Sequence, residues 1–142
     1  VVGSYMICEM FSYYATKGIS LLDKLDELYK TYGYCLNTLH SYEFDGCIGF
    51  TKMLSIMQIF RTGIKEFGNK KVVKLLDYAP GLNDLPKSNV LKFLLEDNCS
   101  IVVRPSGTEP KLKIYISVSA ENKEEAECIE ENICKNAEKY LK

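Results

Sequence analysis

The amino-acid sequence predicts an α+β fold, in which a mostly antiparallel four-stranded sheet carries two helices on one face and follows a pair of helices. Apolar and polar residues alternate along residues 111–118, which is typical of a strand with one buried face. Apolar residues recur at helical spacing before residue 34 and after residue 122. From residue 35 the predicted order is strand, helix, strand, strand, strand, helix, and this order suits helices gathered on one face of an antiparallel sheet.

Residues 1–34 are predicted to form two helices joined by a tight turn. Gly18 is placed to end the first helix. Ser20 is a suitable N-cap for the second helix, with Asp23 near its positive end and Gly33 after its last turn. Two helices cannot bury both of their apolar faces alone, so we expect this pair to pack on a sheet.

Residues 35–142 contain the strands and two further helices. Asp97-Asn98 is expected to form a hairpin turn. Asn122 with Glu125 resembles a capping box at the start of the last helix. The predicted segments are a strand at 35–42, a helix at 48–60, strands at about 71–78, 90–96, 101–103 and 112–118, and a helix at 122–140.

Composition and charge disfavour several classes of function. The chain has 142 residues, 46% of them hydrophobic and 26% charged, which fits one globular domain with an appendage. A formal net charge of -1 argues against a broad grip on nucleic acid. No apolar run approaches the roughly 20 residues that span a membrane. We therefore expect neither nucleic acid nor a membrane as a partner.

The six cysteines and the single histidine give no sign of a metal or catalytic centre. No two cysteines are spaced C-x-x-C, so neither a zinc nor a redox motif is predicted, and free thiols favour a cytoplasmic location. His40 has no nearby partner in sequence, so we interpret it as an ordinary strand or loop residue. We predict no catalytic residue and no metal ligand in this chain.

The first residues, Val-Val-Gly-Ser-Tyr-Met-Ile, lack an initiator methionine and read like the middle of a helix. They are too short and too uncharged for a signal peptide. We expect the chain to be the C-terminal piece of a longer protein.

The segment Arg-Pro-Ser-Gly-Thr-Glu-Pro-Lys at 104–111 has the chemistry of an anion site. Arg104 offers a fork of donors that matches two phosphate oxygens. Ser106 and Thr108 bring hydroxyl groups, and Gly107 can take a positive φ and let its N–H approach an anion closely. Two prolines stiffen the loop before a ligand arrives. A plain hairpin loop is the alternative, because the same residue types are common in turns.

Three charged side chains next to these residues have supporting roles in this hypothesis. Lys111 can add a point charge, and Lys113 lies on the same strand face. Glu109 is a carboxylate beside a predicted anion site. It could accept a sugar hydroxyl, or hold Arg104 or Lys111 in place.

The same segment, running on into Lys113-Ile114-Tyr115, resembles the C-terminal phosphate-binding loop of the α-D-phosphohexomutases, the phosphoglucomutase/phosphomannomutase superfamily. Residues 85–93 followed by Leu-Glu-Asp at 95–97, and the helix at 21–34 that ends in Tyr-Gly-Tyr, resemble the bacterial phosphoglucomutases. The resemblance covers nearly the whole chain.

This resemblance implies a four-domain enzyme that interconverts hexose 1-phosphates and 6-phosphates through a bisphosphate. Its first domain carries a phosphoserine, its second binds Mg²⁺ through three aspartates, its third contacts the sugar, and its fourth, a TATA-binding-protein-like α+β domain, clamps the other phosphate. Residues 1–34 would be the last helices of an incomplete third domain and residues 35–142 the fourth. The full enzyme would use Mg²⁺ and glucose 1,6-bisphosphate, with glucose or mannose phosphates and its upstream domains I–III as partners.

The resemblance also implies roles for individual residues. Arg104, Ser106, Gly107 and Thr108 would hold the phosphate that is not being transferred, with Lys111 a weaker candidate. The chain has no phosphoserine loop and no Asp-x-Asp-x-Asp metal loop. We therefore expect this fragment to bind no cofactor and to be inactive alone.

Two other classes of function compete with the mutase interpretation. One is a free-standing regulatory module of α+β fold that senses a phosphate ligand. The other is a nucleic-acid module, which is weaker because the predicted strands lack paired exposed aromatics flanked by Arg or Lys. The identity of the sugar, whether glucose, mannose or a pentose, stays open.

Overall fold

The computed structural model describes residues 1–46, 48–82 and 84–141. The chain divides into two compact units, Val1–Tyr34 and Cys35–Lys142. The assignment of the first unit to a third domain stays a prediction, and each unit is described by itself below.

The first unit is the predicted helical pair, α1 (Val2–Ala15) and α2 (Leu21–Tyr32). Ser20 and Asp23 form a reciprocal capping box: the Asp23 N–H donates to Ser20 Oγ, and the Ser20 N–H donates to Asp23 Oδ2, each over 3.0 Å. Gly33, with φ of 87°, follows the last turn of α2. No residue of either helix is buried.

The second unit is built on one sheet whose strands follow the order β1-β6-β5-β4-β3-β2. From β2 to β6 each strand pairs antiparallel with the next along the chain. The first strand lies beside the last, where the Phe44 N–H donates to the Pro110 carbonyl and Ser117 Oγ to Asn37. The strands are β1 (Tyr34–Glu43), β2 (Glu66–Phe67), β3 (Lys70–Asp77), β4 (Leu91–Leu95), β5 (Ser100–Pro105) and β6 (Lys111–Ala120).

The predicted sheet of four strands is wrong, because the sheet has six. The predicted count was two too low: the sequence contains five strand-like runs, each of which forms a strand of its own, and a further short strand. The sixth strand, β2, has two residues and is too short for an alternating pattern to reveal. Gly68, with φ of 62°, turns β2 into β3. A Cβ on Gly68 would lie 3.1 Å from the backbone of Asn132 in the last helix.

The hairpin predicted at Asp97-Asn98 is confirmed. Both residues have φ of 55°, the left-handed conformation of a primed two-residue turn between β4 and β5. The Cys99 N–H donates to the Glu96 carbonyl across the turn, and the Leu95 N–H donates to the Cys99 carbonyl. Leu95 and Glu96 therefore both oppose Cys99, and this one-residue bulge places Leu91 opposite Val103.

Two helices, α3 (Gly49–Arg61) and α4 (Lys123–Glu138), pack on the sheet face where β6 buries its even-numbered residues. Asn122 caps α4 by accepting from the Glu125 N–H over 2.9 Å. The Glu125 carboxylate accepts from the N–H of Glu121, not of Asn122, so the capping box is shifted by one residue. No helix of the described residues is long and apolar enough to cross a membrane.

The core of the second unit lies between this sheet face and the two helices. A cluster of aromatic rings occupies one end, where the Phe67 and Phe93 centroids are 5.0 Å apart. The largest fully buried side chains are those of Met53, Met57, Phe60, Phe67, Leu91, Phe93, Ile101, Val103, Leu112, Ile114, Ile116 and Ile133.

Candidate functional site

The loop with anion-site chemistry connects β5 to β6. Its two ends are held together because Arg104 faces Lys113 in the strand register. Inside the loop, the Ser106 N–H donates to the Lys111 carbonyl over 2.7 Å, and the Lys111 N–H donates to the Glu109 carbonyl over 2.8 Å. The Thr108 N–H lies 3.4 Å from Ser106 Oγ. These contacts restrain the loop from within.

Arg104 and Lys113 supply positive charge at the base of the loop. The Arg104 residue is exposed, and Lys113 is half-buried on the adjacent strand. Among residues 1–46, 48–82 and 84–141, neither side chain forms an ion pair or a hydrogen bond. An anion arriving at the loop would therefore meet two cations that no internal carboxylate neutralises.

Gly107 does not have the positive φ that the sequence left available to it, since its backbone is outside the left-handed region. A Cβ on Gly107 would have no heavy atom within 4 Å beyond its chain neighbours. The fold itself does not require glycine here. What glycine provides is an open approach to the loop backbone.

Within the described part of the chain, Lys111 forms ion pairs, unlike Arg104 and Lys113. Its Nζ lies 2.9 Å from Glu43 Oε1 and 3.4 Å from Glu109 Oε2. The hydrogen bond to Glu43, with the charge of Glu109, raises the pKa of Lys111 above its ordinary value. Of the partners considered for Glu109, the structure places it beside Lys111. This cluster joins the loop to the end of β1.

A hollow of about 330 Å³ opens on this side of the loop. Its carboxylates, from Glu43, Asp45 and Glu109, repel a phosphate but can accept hydrogen bonds from hydroxyl groups. Its lining consists of Glu43, Phe44, Asp45, Gly46, Glu109, Pro110 and Lys111. The loop therefore has a cationic side at Arg104 and an acidic side at the hollow.

The start of α3 supports the loop from behind. A Cβ on Gly49 would collide with the Phe44 carbonyl oxygen and lie 3.0 Å from Pro110 Cβ. Only glycine lets the first turn of α3 approach so closely. Pro110 is thereby held between α3 and Phe44, whose N–H donates to its carbonyl over 2.9 Å.

The sequence did not reveal Glu43, Asp45 and Gly49 as parts of this site. These residues reach the loop through the neighbouring β1 and β6, which lie far apart in the chain. Local periodicity carries no information on such a pairing. The acidic Glu43 and Asp45 on either side of Phe44 were the available signal.

The described residues do not fit the three-aspartate Mg²⁺ site that the resemblance implies for the complete enzyme. The possible ligands that converge are His40, Glu130 and Cys134. Magnesium requires oxygen donors, which a set containing imidazole and thiol groups does not supply. No step through Mg²⁺ is assigned to this chain.

A family model described as phosphoglucomutase/phosphomannomutase, C-terminal domain, matches residues 62–135, about half of the chain and including the whole β5–β6 loop. The chain therefore belongs to the phosphoglucomutase/phosphomannomutase family, and the resemblance seen in the sequence is confirmed.

Individual relatives agree with this family. A phosphoglucomutase of Staphylococcus aureus is 37% identical over 118 residues, covering 74% of this chain and 21% of the relative. One of Staphylococcus saprophyticus is 35% identical over 120 residues, covering 76% of this chain and 22% of the relative. The chain thus spans about a fifth of the length of these curated relatives.

A solved structure of similar fold is that of the Paramecium phosphoprotein pp63/parafusin, a phosphoglucomutase in its open form. It aligns with a TM-score of 0.53 at 16% identity and covers 86% of this chain and 22% of that chain. At this identity the similarity supports the α+β fold alone.

Proposed function

We propose that the unit Cys35–Lys142 is the substrate-phosphate-binding domain of a phosphohexomutase, which interconverts hexose 1-phosphates and 6-phosphates through a bisphosphate. In this role the β5–β6 loop holds the phosphate that is not being transferred. Arg104, Ser106, Gly107 and Thr108 make the contacts, and Lys113 adds charge.

The observation that carries this proposal is the combination of an unneutralised Arg104 with an open, internally hydrogen-bonded loop. A guanidinium binds two phosphate oxygens at once, and charge-assisted bonds of this kind are the strong ones. Because the loop is already ordered, less entropy is lost when a ligand binds.

In this proposal the acidic hollow beside the loop binds the sugar part of the substrate. Glu43 and Glu109 are exposed carboxylates beside the loop, and they can accept hydrogen bonds from ring hydroxyls of a sugar whose phosphate lies at Arg104. A phosphate bound far from the reacting end can orient that end. A bisphosphate that turns around would place either phosphate in the same loop.

Lys111 has a positioning role in this proposal. Its ion pairs with Glu43 and Glu109 hold the loop against β1 and keep both carboxylates in place. Phosphoryl transfer itself is assigned to parts of a longer protein, and this chain alone is expected to be inactive.

The test is an amide NMR titration of the chain with glucose 1,6-bisphosphate, with inorganic phosphate and glucose as comparison ligands. We expect saturable shifts at residues 104–111 with both phosphates and weaker binding of glucose. Arg104→Ala should abolish the phosphate-induced shifts. The matched control Lys65→Ala removes an exposed cation next to β2, at the opposite edge of the sheet, and should leave them unchanged.

Two results would contradict the proposal. One is saturable binding of phosphate that perturbs residues outside the loop and survives Arg104→Ala. The other is the absence of any shift at millimolar bisphosphate both in this chain and in the full-length protein.

A further inference from the structure

A seam of polar side chains joins β1 to α4, on the helix-covered face of the sheet. Residues two apart on β1 and four apart on α4 face each other across it. The polar seam consists of Thr38, His40 and Tyr42 from β1 and Glu130, Cys134 and Glu138 from α4. His40 lies on β1, in line with its interpretation as an ordinary strand residue, and its partners come from α4, far away in the sequence.

His40 uses both ring nitrogens in the polar seam. Its Nε2 lies 2.7 Å from Glu130 Oε1, and its Nδ1 lies 3.6 Å from Cys134 Sγ. Thr38 also donates to Glu130 Oε1, over 2.6 Å. Glu138 Oε1 lies 3.9 Å from the same sulfur. The donor atoms of His40, Glu130 and Cys134 all lie within 4.8 Å of one another, and Glu138 stands next to this group through its contact with Cys134.

We propose that the polar seam binds a zinc ion through His40 Nδ1 and Cys134 Sγ, with the Glu138 carboxylate turning from its hydrogen bond with Tyr42 to become the third ligand and water in the fourth position. None of these residues belongs to the proposed phosphate loop at 104–111. The proposal stands independently of the proposed function.

The distances suit zinc. Zinc binds histidine nitrogen at about 2.0 Å and thiolate sulfur at about 2.3 Å, so two such ligands of a tetrahedral ion lie roughly 3.5 Å apart. His40 Nδ1 and Cys134 Sγ are separated by 3.6 Å. Glu138 is one helical turn beyond Cys134, which brings its carboxylate to the same side of α4.

Glu130 completes the arrangement from outside the ligand set. It accepts a hydrogen bond from His40 Nε2, which leaves the lone pair of Nδ1 directed toward Cys134. A carboxylate on the far nitrogen of a metal-binding histidine fixes its tautomer and orientation. The side chains of His40 and Glu130 are 31% and 13% exposed, so an ion can enter while the site is partly shielded from water.

The choice of zinc follows from the donor types. Imidazole, thiolate and carboxylate together favour zinc over magnesium or calcium, which require oxygen ligands. No C-x-x-C motif marks this site, because His40 on the strand and Cys134 on the helix are 94 residues apart in the chain. A hydrogen-bonded seam without any ion is the alternative.

The test is titration of the reduced protein with Co²⁺, which reports thiolate ligation by a sulfur-to-cobalt charge-transfer band and tetrahedral geometry by its visible bands. We expect both to saturate at one equivalent and to be bleached by one equivalent of Zn²⁺. Cys134→Ser and His40→Ala should lose the charge-transfer band or weaken Co²⁺ binding at least tenfold. Cys128→Ser, an exposed cysteine on the same helix, should retain it.

A second readout keeps the proposal testable if a variant is destabilised. Zinc should raise the Tm of the wild-type protein and of Cys128→Ser, and should leave the Tm of Cys134→Ser unchanged. The proposal is overturned if wild-type protein gives no charge-transfer band, or if Cys134→Ser retains both the band and the zinc-dependent rise in Tm. In either case the polar seam is held by hydrogen bonds alone.

Discussion

Arg104 is the residue on which the proposed phosphate contact depends most, because no described acceptor competes for its guanidinium. In the full-length enzyme that we propose, Arg104→Ala should lower kcat/KM by about 2–4 kcal/mol in barrier terms, the range for removing one side of a charge-assisted contact. Steady-state kinetics with glucose 1-phosphate measures this directly. Arg104→Lys keeps the positive charge but loses the forked pair of donors, so its kcat/KM should lie between those of the wild type and Arg104→Ala. An unchanged kcat/KM in Arg104→Ala would exclude this residue from the site.

Gly107 separates a structural role from a binding role. Gly107→Ala adds a Cβ where the chain has free space and φ lies outside the left-handed region, so stability should stay the same or rise by about 0.4–1 kcal/mol. If a phosphate approaches the backbone at this point, the methyl group should weaken phosphate binding severalfold. Thermal unfolding and phosphate titration of the same sample measure both effects. Reduced stability together with unchanged binding would show that Gly107 serves the fold.

Among the secondary-structure elements, α3 is anchored to β3 by the ion pair between Arg61 and Asp77, whose Nε–Oδ2 distance is 2.9 Å. Burial opposes the charged form of Asp77, but hydrogen bonds from Arg61 and from the Ala79 N–H outweigh it and lower the pKa of Asp77. A carboxyl with a lowered pKa stabilises the fold above its unfolded pKa, and this contribution disappears as the pH falls through its folded value.

Asp77→Asn should therefore lower the free energy of unfolding by about 1 kcal/mol at pH 7, a modest value because both side chains are partly exposed. The difference from wild type should begin to shrink below about pH 4, where the unfolded carboxyl takes up a proton, and should continue to shrink as the pH falls through the lower pKa of the folded state. Urea unfolding at pH 7 and at pH 3 tests this. Glu66→Gln, which removes an exposed carboxylate on β2, should show neither effect. A difference at pH 3 as large as that at pH 7 would mean that packing, and not charge, is responsible.

The elements differ in how well the sequence predicted them. The Ser20 cap, the Asp97-Asn98 turn and β6 were predicted because each depends on residues adjacent in the chain. The loop chemistry at Arg104 was readable for the same reason. What local patterns could not give was the neighbour of β1 in the sheet. Without it, neither the Glu43 contact to Lys111 nor the polar seam at His40 could be foreseen.

For the whole molecule, the division into two units has a direct experimental consequence. All the buried apolar side chains lie between Phe44 and Leu141, and the helical pair exposes most of its large apolar residues. A chain that begins at Tyr34 should therefore unfold cooperatively with a Tm within a few degrees of the intact chain. It should also bind less of a hydrophobic dye. Differential scanning calorimetry measures the Tm, and dye fluorescence measures the binding of the dye. A loss of cooperative unfolding in the shortened chain would show that the second unit needs the helices for its stability.

The position of β1 beside β6 also determines how this chain can fold during its synthesis. The hairpins from β2 to β5 can form as they leave the ribosome, but β1 emerges first and must wait for the last strand. Until then its edge is unpaired and open to other nascent chains. The same late residues bring α4 and its half of the polar seam. A chain whose synthesis stops before β6 would keep β1 without its partner strand. We expect chaperones or proteases to capture such incomplete chains.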